Sequence, residues 1–126
     1  MSLLDTDVLV EAQRGRPAAG SWLFTVLDDI SLPAAVVWEM LVGSRDSAEM
    51  RRARRFISDY SIVELNEDDS RLARDLIEAH TLSTGLSIPD FLIAAQEINR
   101  SSTLYTFNLK HFRVIPGLDA QAPYER

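Results

Sequence analysis

The residues of this sequence best placed to do chemistry are carboxylates. Asp5 and Asp7 follow the apolar pair Leu3-Leu4, Glu39 sits within Val36-Val37-Trp38-Glu39-Met40-Leu41, and Asp90 follows Ser87-Ile88-Pro89. A carboxylate set directly after an apolar pair is costly to bury without a partner. Asp5 and Asp7 therefore carry a functional reading beside the plainer one, that they end a strand. Glu39 reads equally as the solvent-facing position of an amphipathic helix. Asp90 stands at the spacing of a capping box with Ser87, and a first-turn side chain can cap a helix and also project into a cleft. Hard cations such as Mg²⁺ and Mn²⁺ take oxygen ligands, typically a few carboxylates plus waters and phosphate oxygens. Acids converging from separate strand ends would repel one another without such a cation. With it, they could activate water and neutralise charge on a phosphodiester transition state. Spacing alone leaves their convergence open.

The elements that must position these acids are legible from periodicity. Leu3 to Val10 (LLDTDVLV) mixes leucine and β-branched residues and predicts a buried strand running into a turn, with Asp5 inside it and Asp7 at its exit. Ile30 to Ala35 predicts a second strand, which passes into a helix through Val36, Val37, Met40 and Leu41 and ends at Gly43. Ser47 to Tyr60 is amphipathic, with Met50, Ala53, Ile57 and Tyr60 on one face and Arg51, Arg52, Arg54 and Arg55 largely elsewhere. Ser61 to Leu65 predicts a strand, and Glu67-Asp68-Asp69 opens an acidic helix carrying Leu72, Ala73, Leu76 and Ile77. Ser87 to Asn99 predicts another helix, and Thr103 to Phe107 and Val114-Ile115 predict final strands. Strands alternating with helices imply an α/β sandwich with a mainly parallel sheet. In such sheets sites form where strands pass into the following helices, which is where the three acids fall.

The totals set bounds. A chain of 126 residues, 46% hydrophobic and 25% charged, fits one globular domain spanning 1–126. It has no cysteine, which removes disulfides, thiolate metal sites and a cysteine nucleophile and suits a reducing cytoplasm. No apolar run approaches the roughly 20 residues of a membrane span, and the opening Met1-Ser2-Leu3-Leu4-Asp5 has no basic region, so a signal peptide is not expected. The net charge is −6 and the pI about 4.8. The protein therefore does not hold nucleic acid by bulk charge, and any nucleic-acid partner needs cations to offset repulsion.

Four short blocks, opening at Leu3, Val36, Ile88 and Thr106, resemble in type and order those of the PIN-domain ribonucleases, in particular the VapC-type toxins of bacterial toxin–antitoxin pairs. Leu3-Leu4-Asp5-Thr6-Asp7-Val8-Leu9 resembles the family's opening block. Val36-Val37-Trp38-Glu39-Met40-Leu41-Val42-Gly43 is similar to the second, and Ile88-Pro89-Asp90-Phe91-Leu92-Ile93-Ala94-Ala95 to the third. Thr106-Phe107-Asn108-Leu109-Lys110-His111-Phe112 is similar to the fourth. The blocks arrive in family order and span nearly the whole chain.

The resemblance implies a PIN-like α/β/α sandwich and an Mg²⁺- or Mn²⁺-dependent endoribonuclease acting on structured RNA, leaving a 5′-phosphate and a 3′-hydroxyl. It implies a cognate antitoxin and a homodimer, for which Trp22 or Tyr60 could serve as exposed apolar positions. Carried over by position, Asp5, Glu39 and Asp90 would bind metal and Thr6 would support the first turn. Asn108 would complete the site where some relatives carry a fourth acid, and His111 stands where others have aspartate. That departure bears on a second metal, for which Asp7 or substrate phosphate would supply the missing charge. Thr106, Lys110 and His111 are further candidates for support or RNA contact, as is Arg113 beside them. His80, ending a predicted helix, reads as a favourable helix-terminal charge, and the four arginines read as a solvated face or as a seat for an acidic antitoxin segment. Two other readings remain. One is a catalytically inactive PIN-like module that binds RNA or protein. The other is an aspartate-based phosphatase starting from Asp5-Thr6-Asp7, which would lack the usual glycine-threonine after the second acid and has only Lys110 as lysine.

Overall fold

The computed structural model describes residues 1–126. Its centre is a five-stranded sheet built from β1 (Ser2–Leu4), β2 (Ile30–Pro33), β3 (Ser61–Val63), β4 (Thr103–Tyr105) and β5 (Ala120–Gln121). The spatial order is β3-β2-β1-β4-β5, and each neighbouring pair is parallel. β1 is central, and Ser2, Leu3 and Leu4 are all buried. A continuous buried run is the signature of a parallel strand covered on both faces.

Seven helices fill the connections: α1 (Thr6–Gln13), α2 (Pro17–Val26), α3 (Ala34–Val42), α4 (Ser47–Ile57), α5 (Glu67–His80), α6 (Ile88–Arg100) and α7 (Leu109–Phe112). A parallel pair requires a crossover long enough to return to the same edge of the sheet, and helices supply it. The core joins Leu3, Leu4, Leu32 and Leu104 of the sheet to helix residues such as Val36, Phe91 and Phe112. The result is the expected α/β/α sandwich. From β1 the chain builds outward on one side through β2 and β3, then returns to add β4 on the other side. The strand order thus reverses between β1 and β4, and such a switch point opens a crevice at the carboxyl ends of the strands.

Three expectations need correction. The first strand does not extend to Val10. It stops at Leu4, and Asp5 (φ −76°, ψ 160°) caps α1 by accepting a hydrogen bond from the Thr6 N–H through its side chain. Val8 and Leu9 then point into the core from a helix, so their β-branched and leucine character serves helical packing, not pleating. Val114-Ile115 is not a strand. Ile115 is buried and Val114 half exposed, and Gly117 at φ +81° turns the chain just beyond, so the edge position goes to Ala120–Gln121. Trp22 and Tyr60 are not freely exposed: Trp22 packs edge-on against Tyr105 at 4.8 Å, and Tyr60 lies 5.6 Å from Phe56. The predicted elements at residues 30–35, 47–60, 61–65, 67–80 and 87–99 appear within a few residues of their expected bounds. α2 and α7 had no counterpart in the sequence reading.

Candidate functional site

The site assembles from the switch point outward. β1 and β4 pair in register, Leu4 with Tyr105, and the ladder runs on as the Asp5 N–H donates to the Tyr105 carbonyl at 2.9 Å. The residues that leave the two strands therefore emerge side by side. Thr106, fully buried, donates from Oγ1 to Asp5 Oδ2 at 2.7 Å. The same hydroxyl oxygen accepts from the Asn108 N–H at 2.9 Å, which fixes the turn into α7. One hydroxyl thus orients the Asp5 carboxylate and anchors the segment carrying Asn108.

Thr6 makes the second junction. Its N–H donates to Asp5 Oδ1 at 2.8 Å, and its hydroxyl donates to Glu39 Oε1 at 2.7 Å. Glu39 reaches that point from α3, whose first residue follows Pro33 at the end of β2. At the end of that helix a Cβ on Gly43 would lie 3.3 Å from the Glu39 carbonyl oxygen. Glycine there spares the turn carrying Glu39 from crowding, although its own φ of −70° is ordinary. Asp7, the second residue of α1, lines the same crevice. Its Oδ2 accepts from the Phe107 N–H at 3.1 Å, while its Oδ1 is buried with no hydrogen-bond partner. Asp90 caps α6, accepting from both the N–H and the hydroxyl of Ser87 at 2.9 Å.

The electrostatics of this arrangement are unbalanced. Burial pushes Asp5 up to about 7, the neighbouring Asp7 and, less strongly, Asp90 push the same way, and the hydrogen bonds from Thr106 and Thr6 offset part of the rise. Asp7 is raised as well, chiefly by burial. Arg126 offsets only part of the rise at Asp7, and carboxylates held apart from water with so little counter-charge are what a cation would relieve.

Asp5, Thr6, Asp7, Phe107, Asn108 and Arg126 line a cleft of about 480 Å³. Thr6 also opens onto a wider groove of about 1020 Å³ that contains Glu39 and is rimmed by Arg14, Arg45, Arg52 and Arg55. The structure therefore brings Asp5, Thr6, Asp7, Glu39, Thr106 and Asn108 together. Asp90 lines neither concavity, and its link to Asp5 is electrostatic. Lys110, His111 and Arg113 are exposed on or just after α7, outside both concavities, with the His111 ring beside Gly85. Lys110 being so placed, no lysine serves Asp5 in the manner a phosphatase requires. Arg126 carries no local sequence signal and Phe107 enters only as a member of the fourth block, because their approach to the crevice depends on contacts between residues about a hundred positions apart.

The donor set suits a hard divalent ion: carboxylate oxygens, one of them on Asp7 buried and unpartnered, plus the Asn108 amide. No three acidic or histidine side chains are already closed around one point, so water and phosphate oxygens would make up the rest of a coordination shell, as is usual for Mg²⁺.

A family model described as the PIN domain matches residues 2–118. Ribonuclease VapC19 of Mycobacterium tuberculosis is 34% identical over 128 residues, covering 98% of this chain and all of that protein. A toxin–antitoxin complex from Klebsiella pneumoniae aligns over the full length of both chains with a TM-score of 0.81 and 26% identity. VapBC2 from Rickettsia felis, bound to a DNA fragment from its promoter, aligns over 98% of each chain with a TM-score of 0.85 at 22% identity, a likeness of fold.

Proposed function

Because the chain belongs to the PIN-domain family and, within it, to the ribonucleases of the VapC type, we propose that it is a metal-dependent endoribonuclease and the toxin of a toxin–antitoxin pair. One observation carries the reading: Asp5, Asp7 and Glu39 gather around Thr6 at the sheet's switch point, with a buried Asp7 oxygen left unpartnered. Asp5, Glu39 and Asp90 are the proposed holders of Mg²⁺ or Mn²⁺, and Asn108 and Asp7 stand where further donors are needed. When bound, the ion supplies an activated water and neutralises charge developing on the phosphodiester.

The chain's own residues do the positioning. Thr106 and the Thr6 N–H each hold one oxygen of Asp5, so the carboxylate cannot rotate freely. Thr6 fixes Glu39 from a different helix. Locking ligands through their outer hydrogen bonds is how such sites keep their geometry. No side chain serves as a covalent nucleophile in this scheme.

RNA is the proposed substrate and a cognate antitoxin the proposed protein partner. Toxin–antitoxin complexes among the structural neighbours support the latter. A homodimer is the proposed assembly, and Trp38 and Val42, exposed one turn apart on α3 (48% and 84%), suit it better than Trp22 or Tyr60. No helix is long and apolar enough to cross a membrane.

Incubating the purified protein with total RNA tests this. Cleavage is expected with Mg²⁺, is expected to stop with EDTA, and is expected to be lost in Asp90→Asn. Persisting cleavage in that variant reassigns the ligand set. A wild type inert towards all RNA and harmless on expression favours the inactive binding module, the reading that Asn108 in place of an acid supports.

A further inference from the structure

Arg126 is the one cation among the residues lining the acidic cleft, and two independent contacts hold it there. Its guanidinium carbon stands 4.2 Å from the centre of the Phe107 ring, a cation–π distance. Its Nη1 donates to Glu11 Oε1 at 3.2 Å. Phe107 is itself braced edge-on by Tyr124 at 5.2 Å. Tyr124 in turn lies 6.4 Å from Trp22, which packs on Tyr105 of β4. An aromatic chain from the sheet thus fixes the segment beyond β5 and sets the arginine at the mouth of the site. The hydroxyl of Tyr124 is buried without a partner and leaves a second donor close by.

A guanidinium offers five N–H donors in a planar fork. Stacking on a ring occupies its face and leaves the edges free, and Glu11 takes only one donor. The Glu11 pair is partly exposed, 52% on the arginine side, and exposed pairs of this kind hold weakly and exchange readily. The Arg126 charge also reaches Asp7, which it lowers against the upward pull of burial. RNA approaching this crevice meets a cluster of carboxylates in a protein of net charge −6. A fixed fork at the entrance matches the geometry of a phosphate group.

We propose that Arg126 is a substrate-contacting residue that binds a phosphate of the RNA backbone next to the carboxylate site, with Phe107 holding its guanidinium in place. The proposal rests on the ribonuclease reading. In the uncleaved complex it requires the Nη donors to turn from Glu11 towards a phosphate, a small rotation about the stacked plane.

The test uses the full chain, with unfractionated tRNA and rRNA as probes. In an Asp5→Asn background, which blocks cleavage, binding is measured across salt concentrations. Arg126→Ala is expected to reduce the slope of log affinity against log salt by about 1. In the cleaving enzyme it is expected to raise KM about tenfold, with kcat and the melting temperature nearly unchanged. Arg126→Lys is expected to restore the salt slope but only part of the KM, because an ammonium supplies the charge without the fork. An unchanged slope and KM in Arg126→Ala, with the parent protein binding and cleaving normally, overturns the phosphate contact alone. A parent that neither binds nor cleaves these RNAs overturns the ribonuclease reading and this contact with it.

Discussion

Asp69 on α5 and Asp5 before α1 are both buried, at 0% and 6% exposure, and their surroundings are opposite. Asp69 accepts a two-pronged pair from Arg100 at 2.8 and 2.9 Å, a bond from the Asn99 amide, and the Asn66 N–H of a capping box. Burial alone would raise its pKa, but the donors from Arg100, Asn99 and Asn66 together outweigh it and leave the group lowered. Asp5 has two donors, no cation, and other acids beside it, so burial prevails and its pKa rises. In both carboxylates burial disfavours the charged form. In one the fold supplies the compensation, clamping α5 to α6. In the other the compensation is left to something that binds.

Four measurements would break or sharpen that contrast. The largest effect is expected from Asp5→Asn in RNA cleavage, a loss of about a thousandfold, or about 4 kcal/mol of transition-state stabilisation. The same variant should melt above wild type in EDTA, because asparagine still caps α1 and the uncompensated charge is gone. A variant that melts lower would mean Asp5 is as structural as Asp69. Asp69→Ala is expected to do the reverse. It strands Arg100 and costs about 3 kcal/mol of unfolding free energy in denaturant titrations, while specific activity below the transition is retained.

Third, Mg²⁺ should stabilise wild type by about 1.4 kcal/mol when present at ten times its dissociation constant and should leave Asp5→Asn unmoved. Equal shifts in the two proteins would detach the ion from this cleft.

The smallest effect concerns a third buried acid, Glu97 on α6. Burial pushes it up to about 7, opposed by its bond from the Asp119 N–H and helped by the Asp119 charge, and its Oε2 has no partner. The unfolded chain ionises this group near 4.5 while the folded chain keeps its proton to about 7. The unfolded state therefore binds fewer protons across that window, and stability falls as pH rises through it. Glu97→Gln should flatten this decline and raise the melting temperature by a few degrees at pH 8, with no gain at pH 4. An equal gain at both pH values would point to packing.

Much of the candidate site was legible because it sits at chain-local junctions. Asp5 and Thr6 follow a buried apolar pair, Glu39 lies just past a second strand, and Asp90 marks a capping box. Each of these is written within a handful of residues. The boundary of β1 is not written locally, because valine and leucine serve a strand and a buried helix equally, and only the capping bond at Asp5 separates the two. α2 is hidden in the sequence because Pro17, Gly20 and Ser21 interrupt its apolar pattern and only Ala19 and Leu23 are buried.

The sequence by itself determined which residues could carry oxygen ligands, that strands and helices alternate, and to which family the chain is similar. Those properties are set by side-chain chemistry and by short-range periodicity. Tertiary structure alone decided that Thr6 joins Asp5 to Glu39, that Thr106 clamps Asp5, that Asp69 is neutralised while Asp7 is not, and that Arg126 arrives at the cleft. Each of those depends on register between parallel strands and on packing across long loops, where the distance between two groups has no relation to their separation along the chain.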